Sequence, residues 1–266
     1  MHRQKKEVDH ANAEFSKEFN LKKKKYQVLK NAEDALAIAK KLPANYPAAG
    51  IWKRLPGLGL DIGVGSKGNA WIVGTNRVPY CWDGHAWRNV PGLGDVIKLD
   101  VDPLGRPWGV NSRGNIYLRE RDSKWYKLPG AAIDIGCGGP GSGVTWVVGT
   151  GKNYAYRWTG KTWTLLSGPD VRRIDVDNRG YAWVTNKNND IIAFDGKTFR
   201  HKPGKAIDIA CGPDGSVWIL GMDKTVYMWD GKKWRKGNGQ GYHITVDHKG
   251  LPWVIGLNKG TWMRTK

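Results

Sequence analysis

The chain has 266 residues, with 43 Lys/Arg against 24 Asp/Glu and a formal net charge of +19. That length admits one or two domains, and no apolar run approaches the roughly 20 residues that a membrane-spanning helix needs. The three cysteines, Cys81, Cys137 and Cys211, cannot all pair, and they are expected to be buried reduced thiols without a disulfide partner in a reducing compartment.

In chain order, the first element is a basic arm, residues 1–49, with 11 Lys/Arg against 6 Asp/Glu. Its opening, MHRQKKEVDHANAEF, has no apolar core and does not read as a secretory leader. Val8, Ala11, Phe15 and Phe19 fall at helical spacing. Asn31 can cap a second helix, with Glu33 and Asp34 in its first turn, and Pro43 and Pro47 stop it. The apolar stripe at Phe15 and Phe19 is too narrow to fold alone and must pack on a partner or on the rest of the chain. Lys22, Lys23, Lys24 and Lys25 form the densest positive run. It suits electrostatic docking on an acidic surface, and the arm has too few aromatics for a base-stacking nucleic-acid reader.

Residues 50–266 are repetitive. Trp71, Trp108, Trp146, Trp183, Trp218 and Trp253 recur every 35 to 38 residues, the mark of one supersecondary unit copied in tandem. Each copy opens on an aromatic residue, as in WKRLPG, WRNVPG and WYKLPG. A β-branched run follows (LDIGVG, KLDVD, IDIGCG), then the Trp segment (AWIVGT, TWVVGT), then a run that usually closes on a turn such as YCWDG or YMWDG. These runs predict four short strands per copy. Asp83-Gly84, Asp195-Gly196 and Asp230-Gly231 predict tight hairpins, in which such pairs supply positive φ angles. Six copies of four antiparallel strands predict an all-β, six-bladed β-propeller. The last copy lacks a fourth strand, and residues 51–55 are a fourth strand without a blade of their own. Pairing the two would close the ring and remove both sheet edges.

The succession W-x-x-L-P-G, I-D-I-G, W-V and Y-x-W-x-G resembles tectonin repeats, over residues 51–266. The resemblance implies a propeller and a non-catalytic recognition role, often binding of carbohydrate or bacterial surfaces, as in tachylectin-1-type and fish-egg lectins. The chain departs from the pattern at Phe199, at Thr245 and in the RERDS turn of the second copy.

No catalytic constellation is legible. The six histidines form neither HxxxH nor HExxH, no metal-ligand spacing appears, and no cofactor is implied. Asp61, Asp100, Asp134, Asp175 and Asp208 read as one repeat position, in which a carboxylate accepts backbone or indole N–H bonds. Asp102, Asp177 and Asp247, in alternate copies, are expected to serve turns.

The turn between second and third strands carries one cation per copy: Arg77, Arg113, Lys152, Lys187, Lys224 and Lys259. Such a rim suits a multivalent acidic ligand or is an ordinary polar edge. Beyond the arm, 32 Lys/Arg face 18 Asp/Glu, so the repeats are themselves basic, which favours acidic partners. Three functions stay open. One is a cytoplasmic adaptor or structural protein docked on an acidic, tubulin-like assembly such as a ciliary microtubule. The others are a lectin and an RNA- or ribosome-associated protein, the last with steeply salt-dependent binding.

Overall fold

The computed structural model describes residues 49–265 apart from positions 66, 140, 142, 167 and 169. The arm, with Phe15, Phe19 and Lys22 to Lys25, lies outside the described residues. Asp230–Lys232 excepted, what is described belongs to one compact unit. Its regular elements are all strands; no helix occurs among the described residues.

The strands are β1 (Trp52–Val64), β2 (Ala70–Gly74), β3 (Pro79–Trp82), β4 (Trp87–Asn89), β5 (Val96–Val101), β6 (Pro107–Asn111) and β7 (Asn115–Arg119). There follow β8 (Trp125–Gly138), β9 (Val144–Gly149), β10 (Ala155–Trp158), β11 (Trp163–Leu166), β12 (Val171–Val176), β13 (Ala182–Asn186) and β14 (Asp190–Phe194). The last are β15 (Phe199–Cys211), β16 (Val217–Gly221), β17 (Thr225–Trp229), β18 (Trp234–Gln240), β19 (His243–Val246), β20 (Pro252–Ile255) and β21 (Gly260–Arg264). They form three seven-stranded sheets, ordered β19-β20-β21-β1-β2-β3-β4, β11-β10-β9-β8-β7-β6-β5 and β12 through β18. The array is all-β and propeller-like.

Each sheet resolves into two four-stranded antiparallel meanders that share its long strand. In β1, Trp52, Lys53 and Arg54 pair with Arg264, Met263 and Trp262 of β21, and residues Asp61–Val64 pair with β2. The expected pairing of residues 51–55 with the last copy is therefore present, and the Thr265 amide extends it to the Ile51 carbonyl at 2.8 Å.

Two expectations need correction. The fourth and first strands were expected to be separate, but they run on as single long strands in β1, β8 and β15. All three contain a Pro-Gly whose glycine lies four residues before Asp61, Asp134 or Asp208, whereas the sixth copy keeps that spacing from Gly239 to His243 without the proline and breaks between β18 and β19. Asp61 lies four residues after Gly57, so the connection is taken up as a register shift between Arg54 and Leu58. Lys98 lies six residues after Gly92, and the surplus forms a loop. The Asp-Gly hairpins are also not two-residue turns. Trp82 faces Trp87 across a four-residue loop, in which only Gly84 has positive φ, at 99°. Asp83 instead accepts the amides of His85 and Ala86, both at 2.8 Å, as an Asx-type cap.

The Pro-Gly motif has a packing cause. The Trp87, Trp163 and Trp234 indoles donate to the Pro56, Pro129 and Pro203 carbonyls at 2.9, 2.7 and 2.7 Å. Each ring lies on the glycine that follows the proline. A Cβ at Gly130 would sit 3.1 Å from Trp163, and φ there is +89°, so only glycine meets both demands. The opening aromatic also pairs across its hairpin, as in Trp158–Trp163 at 4.8 Å and Trp229–Trp234 at 4.9 Å. Phe199 keeps this role through Phe194, at 5.2 Å. In the second copy Arg119 replaces the partner of Trp125. Its guanidinium lies 5.9 Å from the Trp71 ring instead. The periodic tryptophans form the core, with Trp108, Trp146 and Trp218 almost wholly buried. Burying such a ring removes roughly 150–250 Å² from water, about 4–6 kcal/mol at the usual area coefficient.

Candidate functional site

The first strands of the meanders, β1, β5, β8, β12, β15 and β19, pack each against the next, and β19 packs against β1. Registration on the tryptophans shows what these strands present. Trp71, Trp108, Trp146, Trp183, Trp218 and Trp253 face Gly63, Asp100, Gly136, Asp175, Ala210 and Thr245. Asp61 and Asp100 are thus not equivalent, and the recurrent aspartates occupy two positions rather than one. Two residues before the Trp partner stand Asp61, Lys98, Asp134, Arg173, Asp208 and His243, so carboxylates alternate with basic groups along the inner strands. The true repeat is a pair of copies.

Both positions fasten one meander to the next. At the outer of the two, Asp61, Asp134 and Asp208 accept the amides of Leu99, Ile174 and Ile244 at 2.8, 3.0 and 3.0 Å. At the inner position, Asp100 and Asp175 accept Cys137 and Cys211 at 2.6 and 2.7 Å. Thr245 Oγ1 accepts the Val64 amide at 3.2 Å, joining the last meander to the first. Glycine stands opposite the inner aspartates for lack of room. A Cβ on Gly136 would come within 2.6 Å of the Asp175 Cα.

Acidic and basic side chains meet within this ring. Lys98 Nζ lies 3.2 Å from Asp61, Arg173 lies 3.6 Å from Asp208, and His243 Nδ1 lies 3.3 Å from both Asp61 and Asp208. Burial pushes the Asp134 carboxyl up to about 6, against the pull of Lys98 and Arg173. Burial likewise raises Asp100 and Asp175 well above the carboxylate range. Asp208 also feels burial, but the His243 hydrogen bond and the nearby cations bring it below its usual value. Asp102, Asp177 and Asp247 serve turns as expected. Asp102 accepts the Leu104 and Arg106 amides and, at 3.2 Å, the Trp108 indole. The buried Cys137 and Cys211 thiols are raised by burial, and Cys81 is half-buried.

These carboxylates are joined to strand amides and to one another's counter-charges. Among the described residues no cluster of His, Cys, Asp or Glu could hold a metal ion.

The topology places the six turns between second and third strands at one end of the meanders, but their cations are not equivalent. Arg77, Lys224 and Lys259 occupy the left-handed position of the turn, at φ 60°, 63° and 64°. In the other turns that position is Gly114, Asn153 or Asn189, and Arg113, Lys152 and Lys187 precede it. Three of the cations already have partners. Arg77 pairs with Asp95 at 2.9 Å, Lys187 pairs with Asp170 at 3.4 Å, and Lys224 Nζ sits 3.1 Å from the Tyr242 hydroxyl. Arg113, Lys152 and Lys259 are exposed.

Sequence reading missed Lys98, Arg173 and His243 as ring members. The signal was present as K-L-D-V-D, R-I-D-V-D and H-I-T-V-D against D-I-G, D-I-G and D-I-A. Aligning on aspartate rather than on tryptophan concealed it.

The Tectonin domain model matches residues 27–144 and 170–266. The chain belongs to the tectonin family. Tectonin-1 of Physarum polycephalum is 36% identical over 74 residues, which is 27% of this chain and 33% of Tectonin-1, so the tectonin match spans about a third of that relative. Solved structures share the tectonin chain's fold at low identity. YCF48 bound to D1 peptide aligns with a TM-score of 0.58 and 14% identity, over 85% of this chain and 100% of that one. The propeller domain of Cps50 (Swd1) from Myceliophteria thermophila gives 0.58 and 10%, over 80% and 99%. YCF48 from Cyanidioschyzon merolae gives 0.52 and 14%, over 80% and 98%.

Proposed function

We propose that this tectonin chain is a non-catalytic binding platform: a closed six-bladed propeller that holds an acidic macromolecular partner, with the basic arm, residues 1–49, adding electrostatic docking. The observation that carries it is the use of the carboxylates on the first strands of the meanders. Asp61, Asp100, Asp134, Asp175 and Asp208 each accept the amide of a neighbouring strand, so the inner strands are engaged in holding the meanders together. Six meanders, with β21 paired to β1 and Thr245 bonded to Val64, support the six-bladed ring. The net charge of +19 supports an acidic partner, and a cytoplasmic cytoskeletal or ciliary assembly such as a microtubule is a concrete instance. YCF48, solved with the D1 peptide bound, is a precedent at the level of fold only.

A lectin is the second reading. It is favoured by family membership and by the cleft beside Trp234 and Tyr227, about 390 Å³ in volume. Capturing partners of the tagged full chain, with and without residues 1–46, at low and moderate salt, separates the two. A discrete protein assembly, weakened by salt and lost with the arm, is expected. Glycoconjugates retained without the arm and eluted by free sugar would replace the platform with the lectin. Competition by nucleic acid would point instead to an RNA-associated protein.

A further inference from the structure

The end that carries the six turns is not sixfold. At the first residue of each turn the chain has Thr75, Ser112, Thr150, Lys187, Met222 and Leu257. Four are polar, and the last two are large and apolar. Some of the connections beside the turns differ in the same sense. Asp95 and Asp170 sit beside the second and fourth turns, where they close ion pairs with Arg77 and Lys187. Beside the last turns the chain instead exposes Tyr242 and Leu58.

Four exposed apolar side chains result: Leu58 at 45%, Met222 at 52%, Tyr242 at 42% and Leu257 at 47%. Backbone bonds place them along one arc. The Gly241 amide donates to the Lys224 carbonyl, Tyr242 to Ile255, and Gly59 to Lys259, at 3.0, 2.8 and 2.8 Å. The Met222 turn thus abuts Tyr242, whose strand abuts the Leu257 turn, which abuts Leu58. At the Met222 end opens the cleft of about 390 Å³, floored by Ile219 and Gly221 and walled by Trp234 and Tyr227.

Charge on the arc is mainly positive. Lys224 Nζ lies 4.6 Å over the Tyr242 ring. Lys259 has no ion pair among the described residues. Asp223, the acid of this segment, bonds Tyr227 and pairs with Lys236 at 3.3 Å. Elsewhere on the same end Asp95 and Asp170 pair with Arg77 and Lys187, whereas among the described residues no acid pairs with Lys224 or Lys259.

We infer that the arc from Met222 through Tyr242 and Leu257 to Leu58 is the docking surface, and that its occupant is an acidic protein segment carrying large apolar side chains. The apolar residues fill the cleft under Met222 and cover Leu257 and Leu58, and the carboxylates meet Lys224 and Lys259. Apolar anchors ringed by complementary charge are how compact interfaces gain both affinity and direction. The inference rests on the platform reading and narrows it from the whole rim to a single arc.

The test uses the full chain and a phage-displayed library of random peptides. Counter-selection uses L58S/M222S/L257S, whose changes fall on exposed side chains and leave the core intact. Enriched peptides are expected to combine Asp or Glu with Leu, Phe or Trp. Their affinity is expected to fall at least tenfold on the triple variant and on K224E/K259E, and to stay within twofold on K152E, which lies on another turn. In methyl NMR the peptide is expected to shift Met222 and leave the buried Met228 in place. Enrichment of basic or uncharged peptides, equal binding to the triple variant, or a Met222 shift produced by oligosaccharides and not by peptides would overturn the assignment. If the arc fails while the full chain still captures a salt-sensitive protein assembly, the surface is wrong and the platform stands. If that capture also fails, the platform reading is wrong.

Discussion

Asp134 shows how the inner ring titrates. Burial raises its carboxyl to about 6, while an unfolded aspartate titrates near 3.9. The folded chain therefore holds this proton more tightly, and an ionised Asp134 works against folding above about pH 6. That penalty is relieved as the pH falls through 6. Asp134→Asn keeps an acceptor for the Ile174 amide and removes the titration. From pH 7 to pH 5 the wild type is expected to gain on the order of 1.4 kcal/mol relative to the variant, as read by denaturant unfolding at each pH. Parallel profiles would show that the carboxyl is not raised. Thr245 gives a second prediction at the same scale. Thr245→Val keeps the shape and leaves the buried Val64 amide without its acceptor, a loss of about 1–3 kcal/mol. A variant within 0.5 kcal/mol of wild type, by the ordinary scatter of neutral substitutions, would mean that this bond contributes little.

At the scale of elements, the first half of β1 belongs with the last meander. Deleting residues 51–56 exposes the edge of β21 and removes the buried Leu55 and the Pro56 acceptor of Trp87. Amide exchange is expected to quicken first in β19, β20 and β21, with β9 and β13 keeping most of their protection. Uniform loss, or no change, would contradict closure by this strand. This pairing was legible because a strand too many at one end and a strand too few at the other are visible as text. The tryptophan period and the Pro-Gly motif were legible for the same reason, since both recur at fixed spacing. The long strands were not. Whether a Pro-Gly connection is absorbed as a bulge or loops out turns on a surplus of one or two residues, which alignment by eye passes over. The alternating charges of the inner strands were hidden by that same slip. Asp-Gly turns misled for another reason: aspartate served as an acceptor for amides two and three residues on, a use that the dipeptide alone does not distinguish from a tight turn.

Across the whole molecule, opposite charges meet inside and a net positive charge remains outside. Lys98 pairs with Asp61 and Arg173 with Asp208 at the inner strands, with His243 beside both carboxylates, yet the chain as a whole carries +19. Partner binding is expected to weaken as salt rises, and to weaken further without the arm, as measured by retention of the assembly over a salt series. Retention unaffected by salt would point to an apolar or glycan interface. The surface assignment was the least legible part in sequence, since exposure of Leu58, Met222, Tyr242 and Leu257 is set by the fold and no motif announces it. Hydrogen–deuterium exchange on the full chain, alone and with its captured partner, is the most direct single measurement. Slow exchange along the six inner strands, with new protection on binding at residues 222–224, 240–242 and 256–259, is the predicted result. Protection on binding confined to the inner strands, around Asp61, Asp134 and Asp208, or to the Asp83 and Asp195 turns at the opposite end, would contradict a platform that binds at its rim.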